Sequence, residues 1–543
     1  MAKGTPPLKS VDGTRWLHSL GALLLTAGAC SVMWELAALH AQQAFFTDEL
    51  RPEFFTLAAP ASVTSSPEWK SIDSNVNAEV SSDDLLHLSH LETACQVEND
   101  TVLPWTFAAP GNSIDQSFPN PQSSTSLLHR GDPRLLEQLR QCPDVDIYLP
   151  SSLRGPAGCA AIVGPLKYLR SRLLPDWVVQ AKLYDVATRS SRNYLELCPH
   201  TPMLFLSPDH LLQLVKTNTW PEKKPVYLMA PTVDSKLKTP RSANFTKSVM
   251  QLTDVLLCRT MRCDQDIKLF LLRQTMENAE ETITSTRVLY TSQVTVDPAN
   301  LAHRTLDDDV GRHNAADFAY TRFAHTTWNV SSKATQDVFN CWNTHRTQLP
   351  PLDVYLLRAY HENKLNDGTR FYKPFPGDTE TKVQMMDATK FSKKFGEASF
   401  FICPTAENDC LDLARASGGV VVTADAYPMN EFVSTKSEGV VFPTQHPMSL
   451  PQSEYQRLVD DDSLLLPPLV PNYRSSDLCS AVLKIKSSLS LSDRKNIGIQ
   501  TRRRFHEDAK FFMLSMLELR AFTDQTRIFQ QEELVRSLRR PQG

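Results

Sequence analysis

The stretch ASFFICPTAENDCLDLARASGGVVVTADAYPMNEFVSTKSEGVVFP (residues 398–443) decides the fold. It opens on a short apolar strand that ends at Pro404. Glu407 and Asn408 follow in the loop at the strand's carboxyl end, and Asp409 begins a helix. Leu411, Leu413, Ala414 and Ala416 give that helix an apolar, small-residue face. Gly418-Gly419 stops it, because glycine adopts the backbone conformation past a helix end without steric cost. Val420–Thr423 is a β-branched run of the kind buried in sheets. Asp425–Pro428 turns the chain into a second helix at Asn430-Glu431, and Gly439–Pro443 is a third strand. Apolar strands alternating with short helices predict a parallel α/β sheet. Ligands of such sheets bind outside the carboxyl ends of the strands.

The same alternation extends outward. A first half begins near Asp144 with the strand Asp-Val-Asp-Ile-Tyr-Leu-Pro. Its loop carries Gly155 and Gly158, a spacing that does not match the G-x-G-x-x-G dinucleotide fingerprint. A helix over Ala160–Leu173 and a strand over Trp177–Leu183 follow, then strands at 203–207, 225–230, 254–258 and 287–291 and a helix over Asp264–Met276. A second half starts near Asp317, with a strand ending in His325-Thr-Thr327, a helix from Thr335 and a strand at 352–357. Two Rossmann-like domains in tandem, 141–310 and 311–480, therefore face each other across a cleft. A helix over Asp493–Leu519, within a C-terminal region 481–543, packs back across both.

The N-terminus points to a membrane. Trp16–Trp34 is almost uncharged, with Lys3, Lys9 and Arg15 before it and Asp48 and Glu49 after. A bilayer needs ~20 apolar residues, and basic residues before the span keep the N-terminus cytosolic. The reading is a cytosolic tail (1–15), a signal anchor (16–38) and a lumenal remainder in the Golgi or endoplasmic reticulum. The rival is a cleaved signal peptide, since Ala27-Gly28-Ala29 fits the small-x-small cleavage pattern. Residues 39–140, rich in Ser, Pro, Asn and Asp, read as a stem. Sequons at Asn99, Asn244 and Asn329 agree with a lumenal location.

Ten of the 11 cysteines follow the anchor, so disulfides are permitted, with connectivity open. No C-x-x-C spacing or His/Cys set suggests zinc. The acidic runs Asp307–Asp309 and Asp460–Asp462 have no strand before them and read as solvated linker. A net charge of −4 gives no reason to expect a nucleic-acid partner. No G-x-S-x-G elbow is present, so hydrolase chemistry has no support.

Four segments carry a family resemblance. Residues 254–260 (AspValLeuLeuCysArgThr) resemble a D-x-V-L-C-K-T strand and turn. Residues 288–297 resemble V-x-Y-T-G-F-T-S-x-D, and residues 323–342 resemble F-L-H-x-x-G-K-S-x-x-K-G-T-x-x-V-x-x-x-W. Residues 413–433 resemble E-A-R-A-S-G-A-L-V-V-T-T-D-x-P-P-M-N-E-L-V, the longest of the four. In this order they are similar to the retaining GT-B glycosyltransferases of the glycosyl transferases group 1 type, in a protist-like branch. The resemblance covers about residues 225–445.

It implies transfer of a sugar from a nucleotide-sugar donor, bound by the second domain, to a glycan or glycoprotein acceptor. It implies catalytic roles for His325, Lys333 and Glu407, and donor binding by Lys333, Ser417, Gly418, Asn430 and Glu431. A lysine at a helix start can neutralise a leaving diphosphate, so no metal or other cofactor is expected. The pattern departs at Leu413, which stands for a glutamate, at Trp328 and Ala334, which stand for glycines, and at Asn329, which stands for a lysine. AlaGluAsnAsp (406–409) stands where the family has a Gly-Phe-Gly turn. The alternative to an enzyme is a catalytically inactive protein of this fold that acts as a binding or partner module.

Overall fold

The computed structural model describes residues 80–109, 127–185, 189–216, 219–222, 224–229, 248–277, 286–305, 318–319, 321–327, 332–357, 370–375, 384–386, 388–405, 410–433, 438–444 and 473–539. The expected anchor span (16–38) and the sequons at Asn244 and Asn329 lie outside these. Among the described residues no helix is long and apolar enough to cross a membrane.

The first lobe runs in order through α1 (Ser82–Val97), β1 (Leu103–Pro104), α2 (Leu135–Arg140), β2 (Asp146–Tyr148), α3 (Pro156–Tyr168), β3 (Arg172–Leu174) and α4 (Asp176–Gln180). It continues with β4 (Lys182–Asp185), β5 (Ser190–Asn193), α5 (Tyr194–Leu197), β6 (Met203–Phe205), α6 (Pro208–Val215), β7 (Val226–Met229), β8 (Val255–Cys258), α7 (Met261–Glu277) and β9 (Arg287–Tyr290). Its sheet has the order β1-β3-β2-β6-β7-β8-β9. All neighbours pair parallel except β1 with β3. β2, β6, β7 and β8 are buried along their whole length; two-sided burial is why β6, β7 and β8 read as unbroken apolar runs.

After α8 (Pro298–Thr305) the second lobe runs through β10 (Phe323–Thr327), α9 (Lys333–Thr344), β11 (Leu352–Leu357), β12 (Arg370–Phe375), β13 (Gln384–Met386), α10 (Ala388–Gly396), β14 (Phe400–Cys403) and α11 (Cys410–Ser417). It closes with β15 (Val420–Ala424), α12 (Met429–Phe432), β16 (Gly439–Phe442), α13 (Ser475–Ser488) and α14 (Leu491–Arg539). The sheet order is β13-β12-β11-β10-β14-β15-β16. β12 pairs antiparallel with both β11 and β13, and the rest pair parallel. Strand order reverses direction between β10 and β14, the crevice where open α/β sheets hold their ligands. Beneath it Phe323 stacks on Phe400 at 5.0 Å and meets Trp342 edge-on at 5.3 Å, pairings that add to simple burial.

The parallel α/β sheets are of the class the sequence predicts, but three expectations are corrected. The stem reading fails for part of its length: residues 82–104 belong to the first lobe. Ser81 and Asp84 form a capping box on α1, Cys95 is bonded to Cys159 of α3, and Lys167 pairs with Asp84 at 2.6 Å. Trp177–Leu183 is not one strand, because Pro175 and Asp176 start a helix that buries Trp177; the strand is β3, just before it. The closing helix runs from Leu491 to Arg539, well past Leu519, and α13 precedes it.

The ten cysteines beyond Cys30 pair in five disulfides: Cys95–Cys159, Cys142–Cys198, Cys258–Cys263, Cys341–Cys479 and Cys403–Cys410. Loop-closure entropy ranks them. Cys341–Cys479, 138 residues apart, is worth roughly 5 kcal/mol and Cys258–Cys263, only 5 apart, roughly 2 kcal/mol. The short ones therefore fix local geometry more than they stabilise the fold.

α14, 49 residues long, ties the lobes together. Arg415 of α11 bonds to Asp508, and Arg502 reaches Asp297 at 2.8 Å. Further along, Arg520 pairs with Asp144 and Thr523 with Tyr227 at 2.9 Å. The helix comes very close to Gly418, whose φ of +72° suits glycine. A Cβ on Gly498 would lie 2.4 Å from the Gly418 carbonyl oxygen.

Candidate functional site between the lobes

The carboxyl ends of β8 and β9 in the first lobe meet those of β14 and β15 in the second. After β8, the hydroxyl of Thr260 lies 2.5 Å from that of Tyr427. The next two backbone amides, Met261 and Arg262, donate to the two carboxylate oxygens of Glu431 at 2.9 and 3.0 Å. Glu431 thus caps α7 from the other lobe, where the helix dipole favours a negative charge. The Arg262 guanidinium lies 5.2 Å from the Tyr427 ring centroid. After β9, Gln293 donates to both carboxylate oxygens of Asp412, at 2.6 and 2.7 Å.

Local backbone conformation makes this reach possible. Ser292 sits at φ +57°, at the position the family resemblance gives to glycine, a left-handed conformation that costs a side-chain-bearing residue roughly 1–2 kcal/mol. It turns Gln293 toward α11. Asp412 lies in the first turn of α11. Burial raises its pKa, while the guanidinium groups of Arg415 and Arg259 act to lower it. A carboxylate held in this way across an interface is the kind of perturbed group that marks functional clefts.

The residues expected to act divide into four groups. His325 is 1% exposed. Its Nδ1 donates to the Ile402 carbonyl at 2.7 Å, and its Nε2 lies 3.1 Å from the Thr335 hydroxyl. Burial pushes its pKa down to about 4, so the ring is neutral. It ties β10 to β14 and to α9, and presents no free nitrogen to a ligand; the catalytic expectation is corrected to a positioning one.

Lys333 is exposed at the first turn of α9, behind the Ser332 cap, with its ammonium 5.8 Å from the Tyr473 ring centroid. It stands at the carboxyl edge of the sheet, beside the β10–β14 crevice. Asn430 is exposed beside Asp425, its amide 3.4 Å from that carboxylate. Glu431 is committed to α7.

Ser417 and Gly418 are misplaced by the sequence reading. They end α11, a run from the carboxyl end of β14 back to the start of β15. That places them at the opposite edge of the sheet from Lys333. Ser417 is buried and Gly418 packs on Arg502 of α14, so neither lines the cleft.

Glu407, Trp328 and Asn329 lie outside the described residues. Asn99 is half-buried in the turn after α1, whose carbonyls are held by Arg154 and Trp177. Leu413 is buried at 3% exposure, as an apolar core residue should be. Among the described residues no group of three or more His, Cys, Asp or Glu side chains is placed to hold a metal ion.

Sequence reasoning missed Gln293, Asp412, Tyr427 and Thr260. Only Asp412 carried a local signal, a carboxylate one position before the glutamate that the family pattern places at Leu413.

No protein-family model and no curated protein matches the chain. Solved structures similar to it include sucrose-phosphate synthase from Thermosynechococcus elongatus, at 11% identity over 68% of this chain and 84% of that one, with a TM-score of 0.33. The pneumococcal O-GlcNAc transferase GtfA in complex with UDP and GlcNAc is similar at 9% identity, over 60% of this chain and 57% of that one, with a TM-score of 0.33. Anabaena HepE in complex with UDP and glucose is similar at 10% identity, over 67% of this chain and 98% of that one, with a TM-score of 0.31.

Proposed function

We propose that the chain is a glycosyltransferase that moves a sugar from a nucleotide-sugar donor to a glycan or glycoprotein acceptor. The observation that carries this reading is the β10–β14 crevice, with the exposed Lys333 at its rim and the first lobe closing over the neighbouring strand ends. Ser332 caps α9 through the Thr335 amide, so the helix presents its remaining first-turn amides and the Lys333 ammonium together. That combination suits a diphosphate whose charge grows as the glycosidic bond breaks. Glu407, which follows β14 in the sequence, and Asn430 are the groups offered to sugar and ribose hydroxyls. Residues 413–433, the longest family motif, supply β15 and α12 of the lobe proposed to hold the donor.

The same proposal places the protein in the secretory pathway, as a type II membrane protein of the Golgi or endoplasmic reticulum. The N-terminal apolar run supports it, as do five disulfides that would not persist in a reducing cytosol. Asn99, Asn244 and Asn329 are its proposed glycan acceptors.

A second reading, a partner or binding protein without turnover, is favoured by one set of observations. His325 and Glu431 are both committed to internal bonds, and Leu413 is apolar core. Purified lumenal protein incubated with a panel of nucleotide sugars separates the two. The enzyme reading expects slow donor hydrolysis that falls about a hundredfold in Lys333→Ala. Binding without hydrolysis, unchanged by Lys333→Ala, gives the binding-module reading, and binding of no nucleotide sugar ends the first.

A further inference from the structure

The Cys258–Cys263 disulfide encloses four residues, Arg259, Thr260, Met261 and Arg262. Three of them touch the second lobe: Thr260 bonds to Tyr427, and the amides of Met261 and Arg262 bond to Glu431. Thr260 is itself held by the loop, since its hydroxyl accepts from the Cys263 amide at 3.2 Å. The Cys258 carbonyl anchors the other strand end, accepting from the Thr291 amide at 2.8 Å. Two residues further on, Gln293 makes the remaining cross-lobe bond to Asp412. One small covalent ring therefore sets the position of most of the polar groups that close the lobes at this point.

Three of the other disulfides join elements 56 to 138 residues apart. Cys258–Cys263 joins no distant elements, so its loss leaves the global chain topology intact. Cys258 is fully buried and Cys263 is 8% exposed, so of the two sulfurs Cys263 is the one a thiolate meets first.

We propose that this ring is a reducible latch: intact, it holds the lobes closed and keeps the Glu431 carboxylate on α7; reduced by a dithiol, it releases both. A thiolate of the dithiol attacks Cys263 Sγ, and Cys258 leaves as a thiolate. The second thiol of the reagent then displaces Cys263, giving two protein thiols and one oxidised cyclic reagent. This rests on the transferase reading only in that Glu431, once freed, becomes available to a donor in the cleft.

The test is hydrogen–deuterium exchange of the full oxidised chain, without nucleotide sugar, across a dithiothreitol titration followed by alkylation mass mapping. Cys142 is exposed, so Cys142–Cys198 opens independently; Cys258–Cys263 should be reduced before the buried Cys95–Cys159 and Cys341–Cys479. Exchange at the Met261 and Arg262 amides should then rise about tenfold or more, with β14 and β15 unchanged. Glu431→Ala, which leaves every cysteine in place, should raise exchange at the same two amides. The proposal is overturned if those amides stay protected once the disulfide is open, if Glu431→Ala leaves them protected, or if Cys95–Cys159 or Cys341–Cys479 is reduced first. Because the readout needs no donor, it can fail while the transferase reading stands, and hold while that reading fails.

Discussion

His325 stays uncharged down to a pH of about 4 in the folded chain, against 6.5 for an exposed ring. The unfolded chain therefore binds a proton between pH 6.5 and 4 that the folded chain refuses. Stability contributed by the neutral ring is full above pH 6.5 and is lost as pH falls through that window, by about 3 kcal/mol. His87 behaves alike: burial and the nearby Lys167 ammonium push it down to about 4. Urea melts at stepped pH should show His325→Gln losing about 3 kcal/mol less than the parent over the window. An identical slope would mean that the ring does not stay neutral. A second expectation concerns Gly498. An added Cβ meets the Gly418 carbonyl oxygen at 2.4 Å and the Phe318 ring at 2.6 Å. Gly498→Ala should cost about 1–3 kcal/mol, read as a shifted urea midpoint, whereas the exposed Ile499→Ala should cost little.

Among the elements, buried strands were the most legible from sequence because two-sided burial writes itself as an apolar run: β7, β8, β14 and β15 fall almost where the residues put them. α1 was hidden, although Ser81 and Asp84 spell a capping box, because the polar composition on both sides outweighed its apolar pattern. β12 and β13 carry no two-sided burial signature and went unseen. The cross-lobe bonds were beyond reach for a plainer reason: Gln293 and Asp412 are 119 positions apart, and Met261 and Glu431 are 170 apart, and spacing holds no record of such pairs. Helix α11 supplies a test at this scale. Arg415 is 1% exposed against Asp508 at 8% and keeps Asp412 as a second partner at 3.5 Å, so Asp508→Ala leaves a buried cation with its weaker partner alone and should cost about 3 kcal/mol, the low end for a broken buried pair. Replacing both together, Arg415→Met with Asp508→Leu, should cost far less; equal losses would show that the pair is not the source.

At the level of the molecule, α14 is attached to the second lobe through Asp508 and through Arg502, which donates to the Ala416 carbonyl, and to the first through Arg520 and Thr523. Ending the chain after Leu489 removes all four attachments. Thermal unfolding should then split into two transitions or lose cooperativity, as separate lobes do; a single unshifted transition would show that the lobes need no helix to hold them. The positions of those attachments also dictate mechanics. Asp508 and Arg520 are separated by about 18 Å of helix, with Phe512 resting on Tyr168 between them. A stiff rod gripped at two points on one side of a crevice acts as a fulcrum. It blocks sliding of one lobe along the other, and leaves a pivot about its own axis as the cheap motion. Any opening of the cleft is therefore a jaw-like swing, widest at the Glu431 end of the mouth and smallest beside the rod.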